Sequence, residues 1–312
     1  MKSRTLRTCA AGIAIASLGM GLATAPTAQA ATTLTSKEQL KSAPVPSMCD
    51  NPAGTLKDGK LPGYHVSLDY TKSKLGQIKP GGGKEAAAVF HCSQGGIGWA
   101  NHIVFYSSDL KVIGHTDLAS VGVTAGRQLV QSVSISAKGT VTANVIAVPL
   151  KGDNELWGSA GAKLTFKWNS GKKKVTRTAT KVYDDTTGIA KKILSLTKAG
   201  KVSQAKKYAT TSIAKSLAAD WKYMAKKNKT AKRKGKITIG GCGGTFSTYK
   251  GTNFYKDNVP YGYRGCMVIY TWPMPKGAVE QYSSWWVMTL NHKNADKNWA
   301  SWYARKLIGV AG

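Results

Sequence analysis

The sequence predicts an α+β protein in which an all-β region, sandwich or barrel-like, precedes a helix-then-sheet region. Short apolar stretches separated by turn residues run from about 64 to 182, which is typical of an antiparallel sandwich or barrel. From 187 to 225, apolar residues recur at steps of three and four, the spacing of amphipathic helices. Strand patterns then return and continue to the C-terminus. We therefore expect two domains, 31–183 and 184–312.

The first 30 residues predict a secretory signal peptide. Basic residues precede an apolar stretch from 10 to about 25, and Ala28-Gln29-Ala30 provides a small-x-small cleavage site. No later apolar run reaches the 18 or so residues that a membrane-spanning helix requires. We expect a secreted chain, with retention at the cell surface by charge as the alternative.

In the first domain, a helix start is expected at Thr35, because Glu38 lies at the capping-box spacing and Pro44 follows. The β region then alternates between apolar runs and turns. Strands are expected around 66–68, 86–90, 103–106, 112–113, 133–136, 141–146, 164–168 and 175–178.

In the second domain, Thr187 precedes an amphipathic helix that Gly200 ends. A second helix is expected over 201–225, with lysines on its polar face. Further strands are expected around 237–239, 267–270, 285–290 and 299–310.

Four cysteines outside the signal allow three disulfide connectivities. They are Cys49, Cys92, Cys242 and Cys266. The local pairing puts one bridge in each half of the chain. A zinc site is disfavoured, because no Cys-x-x-Cys pair occurs and export favours disulfides.

The stretch 42–120 resembles a group of actinobacterial secreted proteins. Pro44-Val45-Pro46 stands ahead of Cys49, and Cys92 is followed by Gly95-Gly96 and Trp99, as in that group. The resemblance implies a Cys-bridged β domain and carries no activity with it.

Cofactor and catalytic motifs are not found in the sequence. Relatives in that group carry an acidic, calcium-loop-like segment, but 79–85 here has one carboxylate, and calcium requires six or more oxygens. There is no Gly-x-Ser-x-Gly elbow, the five histidines lack metal-ligand spacing, and 81–85 does not fit a P-loop. We expect a protein without enzyme activity, cofactor or metal, although a carboxylate dyad stays open as an alternative.

The order of two helices and a sheet ending in a Trp-rich strand resembles the NTF2-like cone fold. That resemblance implies a cup for a small ligand or a protein contact. Aromatic side chains beside lysines can stack on sugars or bases, although core packing is the simpler explanation. The stacking candidates are Trp285, Trp286 and Trp302.

Positive charge is the strongest indication of function. The chain has 45 Lys and Arg against 15 Asp and Glu, a formal net charge of +30. Basic residues concentrate in two clusters, and solvated surface loops are the simpler explanation of each. The first cluster is Lys222, Lys226, Lys227, Lys229, Lys232, Arg233, Lys234 and Lys236, and the second is Lys172, Lys173, Lys174 and Arg177.

These charges predict a non-catalytic protein that binds anionic polymers through many lysine contacts. The expected partners are wall polymers, glycosaminoglycans or extracellular nucleic acid, bound without sequence specificity because lysine acts as a point charge. Two alternatives stay open. One is a small-ligand carrier or enzyme with an aromatic cup in the second domain, and the other is a membrane-active toxin using 201–236. The sequence carries no indication of oligomeric state.

Overall fold

Antiparallel strands are the predominant secondary structure, as the computed structural model shows for residues 33–94, 97–122, 126–153, 158–244, 263–294 and 298–310. The predicted signal peptide lies outside these described residues. The strands of the first half are β1 (Pro44–Val45), β2 (Gly54–Thr55), β3 (Val66–Gly76), β4 (Glu85–Gln94), β5 (Ile97–Gly98), β6 (His102–Tyr106), β7 (Val112–Asp117), β8 (Leu129–Ile135), β9 (Val141–Val148), β10 (Ala160–Asn169) and β11 (Lys174–Val182).

The α-helices of the described residues lie in the second half. In chain order the elements are α1 (Thr186–Lys198), α2 (Val202–Ala205), α3 (Thr211–Lys227), β12 (Lys236–Gly243), β13 (Arg264–Thr271), β14 (Ser283–Asn294) and β15 (Asn298–Val310). Short 3-10 helices cover Lys37–Ser42 and Leu118–Ser120. The strands expected from the sequence coincide with observed strands, except that β8 ends at Ile135, one residue before the expected end. The described residues are thus mostly β, with few helices.

Three sheets of the described residues contain four or more strands. Their orders are β3-β4-β6-β7, with β5 paired to β4, then β11-β10-β9-β8, and β12-β13-β14-β15. A fourth sheet holds only β1 and β2. In the first two large sheets both pairs of edge strands meet, β3 with β8 and β7 with β11.

The sheet β3-β4-β6-β7 is buried on both faces. In β4, Ala87 and Val89 belong to the main core, while Ala86, Ala88 and Phe90 belong to a second core beneath the N-terminal segment. Successive side chains of a strand point to opposite faces, so a continuous apolar run marks a strand covered on both sides.

The predicted helix 201–225 is wrong as a single element. The chain leaves α2 after Ala205 and runs beside β15, where Thr210 N donates to Ala304 O at 3.1 Å and Ala304 N donates to Tyr208 O at 2.8 Å. Thr210 then caps α3 by accepting from Ile213 N at 3.4 Å. These strand contacts replace one turn of helix, which the apolar spacing alone does not show.

The helix start in the N-terminal segment is shifted by one residue from the predicted one. Ser36 rather than Thr35 is the N-cap, and Gln39 rather than Glu38 completes the capping box by accepting from Ser36 N at 2.9 Å. The Glu38 side chain instead pairs with Lys41 at 2.6 Å.

Both disulfides follow the local pairing. Cys49–Cys92 fastens the N-terminal segment to β4, and Cys242–Cys266 joins facing residues of β12 and β13. Each bridge therefore links neighbouring elements of one half.

Polar contacts join the two halves of the chain. Arg264 of β13 pairs with the buried Asp153 at 3.2 Å, and Trp302 Nε1 donates to Tyr183 O at 3.0 Å. Residues of β10 and of β13 share the main core, and 33–312 form one compact unit. The boundary at 183/184 falls in the connection between β11 and α1, and its role as a domain border stays a prediction. Among the described residues, no helix combines the length and apolarity needed to cross a membrane.

Candidate functional site

A helical layer with an unbalanced positive surface covers one face of the sheet β12-β13-β14-β15. Helix α1 contacts β12, β13 and β15, and α3 packs on α1 and β15. Fifteen basic residues between 186 and 236 are all exposed, and we call them the cationic face. They are Lys191, Lys192, Lys198, Lys201, Lys206, Lys207, Lys215, Lys222, Lys226, Lys227, Lys229, Lys232, Arg233, Lys234 and Lys236.

The cationic face has almost no carboxylates to neutralise it. Asp220 is the only acidic residue between 186 and 236, and it accepts a hydrogen bond from Tyr270 Oη at 2.8 Å. None of the ion pairs of the described residues includes a member of the cationic face. Like charges concentrated in one stretch of chain repel, and an anionic ligand relieves that repulsion.

The first predicted cluster spans three kinds of backbone. Lys222, Lys226 and Lys227 lie on α3, where cations near the C-terminus also interact favourably with the helix dipole. The chain then turns, so Lys229 and Arg233 do not continue a helical face with Lys222 and Lys226. The last member of the cluster is the first residue of β12.

Hydrogen bonds hold the segment 228–235, which we call the Lys-rich loop, in one conformation. The Asn228 amide donates to Gly235 O at 3.1 Å and accepts from Gly235 N at 2.6 Å. Lys232 N donates to Met274 O at 2.7 Å, and Met274 N donates to Arg233 O at 3.0 Å. Four cations are therefore presented on a loop whose shape is set before any ligand arrives.

Close packing beneath the Lys-rich loop requires a glycine at its end. A Cβ at Gly235 would stand 2.6 Å from Pro273 Cδ and 2.7 Å from Met224 Sδ. The Lys234 ammonium also donates to Asn228 O. The loop is thus fastened to the chain at both ends and in its middle.

An aromatic groove of about 330 Å³ borders the Lys-rich loop. Its walls include Tyr223 and Trp272, whose ring planes meet at 76° with centroids 6.0 Å apart. Lys227 lines the groove as well, and its Nζ lies 5.8 Å from the Tyr223 ring centroid. Two aromatic side chains and a lysine therefore line the same small volume.

Trp272 is fixed from several sides. Its Nε1 donates to Ser284 Oγ at 3.0 Å, and its ring stacks on Tyr270 with centroids 5.5 Å apart. Gln281 Nε2 donates to Trp272 O at 2.8 Å and to Lys234 O at 3.3 Å, which connects the groove wall to the Lys-rich loop.

The second predicted cluster begins in the turn of the β10–β11 hairpin, with Lys172 and Lys173, and continues into β11 with Lys174 and Arg177. Its members are all exposed: Lys172, Lys173, Lys174 and Arg177. Three of them line an open groove between β7 and β11, whose floor includes Phe105 and Phe166. Arg177 Nη1 donates to Ser120 Oγ at 3.2 Å. This cluster is separate in sequence from the cationic face.

The three stacking candidates occupy different positions. Trp285 is 45% exposed and lies in β14 one residue before the partly buried Trp286, so the two rings point to opposite faces. Trp302 is 4% exposed and its ring packs 4.2 Å from His292, which is a core position. The groove aromatic Tyr223 was not among the candidates, although it stands four residues before Lys227 on the helix.

Two histidines outside the cationic face contact each other. His102 Nδ1 and His115 Nε2 lie 2.8 Å apart, and burial lowers the pKa of both rings. The sulfurs of Cys49 and Cys92 lie within 4.8 Å of a His102 nitrogen, but they are bonded to each other, and thiolates rather than disulfides bind metals.

Glu85, the one carboxylate of the 79–85 segment, is fully buried. Its Oε2 accepts from Ile78 N at 2.7 Å and from Lys79 N at 2.6 Å, and its Oε1 pairs with Lys79 Nζ at 3.1 Å. These contacts close the turn before β4 from within.

Comparisons with protein-family models, with curated proteins and with solved structures give no match for this chain. We therefore infer function from the cationic face, the Lys-rich loop and the aromatic groove.

Proposed function

We propose that this is a secreted, non-catalytic protein that binds anionic polymers of the cell surface or the extracellular space. The observation that carries the proposal is the cationic face, fifteen exposed cations with a single acidic residue between 186 and 236. Charge density of this kind exceeds what solubility requires. Wall polymers, glycosaminoglycans and extracellular nucleic acid are the partners we propose.

Counterion release supplies the driving force in this mechanism. A polymer neutralised at several charges releases its condensed counterions, so affinity falls steeply as salt rises. Lysine ammonium groups act as strongly hydrated point charges and set no register. The preformed Lys-rich loop adds affinity, because less conformational entropy is lost on binding.

We also propose a fold type for each of the two domains. Two sheets whose edge strands meet support a sandwich or barrel-like first domain. Three helices ahead of a four-stranded antiparallel sheet support a helix-then-sheet second domain of NTF2-like type.

Retention on heparin tests the proposal. We expect Lys226→Ala, Lys227→Ala, Lys232→Ala and Lys234→Ala together to elute the mature chain at clearly lower salt, since four exposed charges of the cationic face are lost. A variant that loses four exposed lysines elsewhere, Lys57, Lys60, Lys74 and Lys138, matches the net charge. If the two variants elute at the same salt concentration, net charge alone determines retention, and a defined binding face is contradicted.

A small-ligand function is the second candidate, favoured by the aromatic groove. Its volume of about 330 Å³ is near the lower end for small-molecule pockets. The membrane-active alternative would require α3 to expose Ile213, Leu217 and Met224, which are buried in the core. Leakage of dye from anionic vesicles measures that activity directly.

A further inference from the structure

The aromatic groove and the Lys-rich loop form one continuous site. Lys227 lines the groove, Thr230 of the loop lines it too, and Gln281 connects Trp272 to Lys234 by two hydrogen bonds. A polymer that lies on the loop therefore passes the groove entrance. A surface that bound its ligand by charge alone would need no such cavity.

The geometry of the groove walls favours a sugar ring over a planar base. Tyr223 and Trp272 meet at 76°, so they form a corner, and Pro273 and Pro275 extend it. A planar base stacks on one ring face at a time, but a pyranose has C–H groups on its faces and hydroxyls around its edge. Its C–H groups can contact both walls, since the faces of aromatic rings attract positive hydrogen atoms.

The polar groups at the groove fit sugar hydroxyls and an acidic substituent. Tyr223 and Thr230 offer hydroxyls, and Lys227 offers a cation. Among the described residues that line the groove, none is Asn, Gln or Arg, whose planar side chains make paired hydrogen bonds to base edges. Tyr223 is 50% exposed, so its ring is open to a ligand.

We propose that the groove binds one sugar ring of an anionic glycan, while the Lys-rich loop neutralises the acidic groups of the adjoining residues. The inference rests on the proposed function and narrows its ligand class to acidic glycans over nucleic acid and over polyanions without rings. The cations supply general affinity, and the groove supplies selection.

Three probes separate the groove from the charge: a heparin-derived hexasaccharide, polyphosphate of similar total charge, and an oligothymidine. We expect Tyr223→Ala to weaken hexasaccharide binding by about five- to tenfold, the scale of a lost ring-stacking contact, and to leave polyphosphate binding unchanged. Tyr223→Phe keeps the ring and retains most of the affinity. Tyr64→Ala, an exposed tyrosine of the first half, is the matched control and alters none of the three.

Each other outcome overturns the inference. If Tyr223→Ala loses equal affinity for the hexasaccharide and the oligothymidine, the groove stacks on bases as well as on sugars. If it loses no affinity, or equal affinity for all three probes, the groove has no selective role. Binding of the unmodified protein to the three probes tests the proposed function separately, because that function fails only if all three bind weakly.

Discussion

At the residue scale, Asn228 decides the shape of the Lys-rich loop. Its amide exchanges two hydrogen bonds with Gly235, one in each direction, across seven residues. An amide is the side chain that can donate and accept in this way. The lysines of this loop are evident in the sequence, but the role of the asparagine that precedes them is not.

We expect Asn228→Ala to lower the free energy of unfolding by about 1–2 kcal/mol, since two hydrogen bonds are lost. Heparin affinity should fall with it, because the cations of the loop are no longer held in one arrangement. Urea unfolding and heparin titration measure the two effects. Asn144→Ala is the control, since it removes the side-chain hydrogen bond to Ser132 on an exposed strand. Unchanged heparin affinity in Asn228→Ala would show that preorganisation plays no part.

The buried His292 predicts a pH dependence of stability. Burial lowers the pKa of this ring from 6.5 to about 4, although its Nε2 hydrogen bond to Ser159 O opposes the shift. Below pH 6.5 the unfolded chain binds a proton that the folded chain rejects until about pH 4, so stability falls as pH falls through this window.

We expect this single histidine to account for a loss of about 3 kcal/mol between pH 7 and pH 4. Urea unfolding at several pH values measures it, and His292→Gln should reduce the pH slope by about one proton. His65→Gln, at an exposed position, serves as the comparison. An unchanged slope in His292→Gln would contradict a buried neutral ring.

At the scale of elements, the connection from α3 to β12 depends on close backbone approach. A Cβ at Gly235 would meet Pro273 and Met224 at 2.6–2.7 Å. We expect Gly235→Ala to cost about 1–3 kcal/mol of stability, because packed atoms must move apart. Gly171→Ala, where the nearest atom is 3.5 Å from the new Cβ, is the control for differential scanning calorimetry. Equal melting temperatures of the two variants would contradict the tight contact.

Among the described residues, periodicity predicted every strand longer than two residues and the helix α1. Alternating apolar residues marked strands that are buried on one face, and continuous apolar runs marked strands that are buried on both faces. The break between α2 and α3 was missed, since it arises from hydrogen bonds to Ala304, almost a hundred residues away. The groove was missed for the same reason, because Tyr223 and Trp272 meet only after the helix packs on the sheet.

At the scale of the whole molecule, the two halves share a core and a buried ion pair. Asp153 accepts from Leu150 N and Ser159 N, both at 2.9 Å, and faces Arg264. Removing one partner of a buried pair leaves the other charge uncompensated.

We expect Asp153→Asn to cost about 3–5 kcal/mol of stability. The comparison variant is Asp109→Asn, whose carboxylate pairs with Lys111 at the surface.

We also expect a single cooperative transition in the unmodified chain, with coincident urea curves from far-ultraviolet circular dichroism and tryptophan fluorescence. Two separated transitions would contradict a shared core.

The most direct test of the central claim is the salt dependence of affinity for a single-stranded oligonucleotide, measured with residues 31–312 by fluorescence titration. We predict that the logarithm of the binding constant falls linearly with the logarithm of salt concentration. In the variant lacking Lys226, Lys227, Lys232 and Lys234, the magnitude of this negative slope should be lower by about three, because four phosphate contacts are lost. A slope near zero, or one that the four substitutions leave unchanged, would contradict binding through the cationic face.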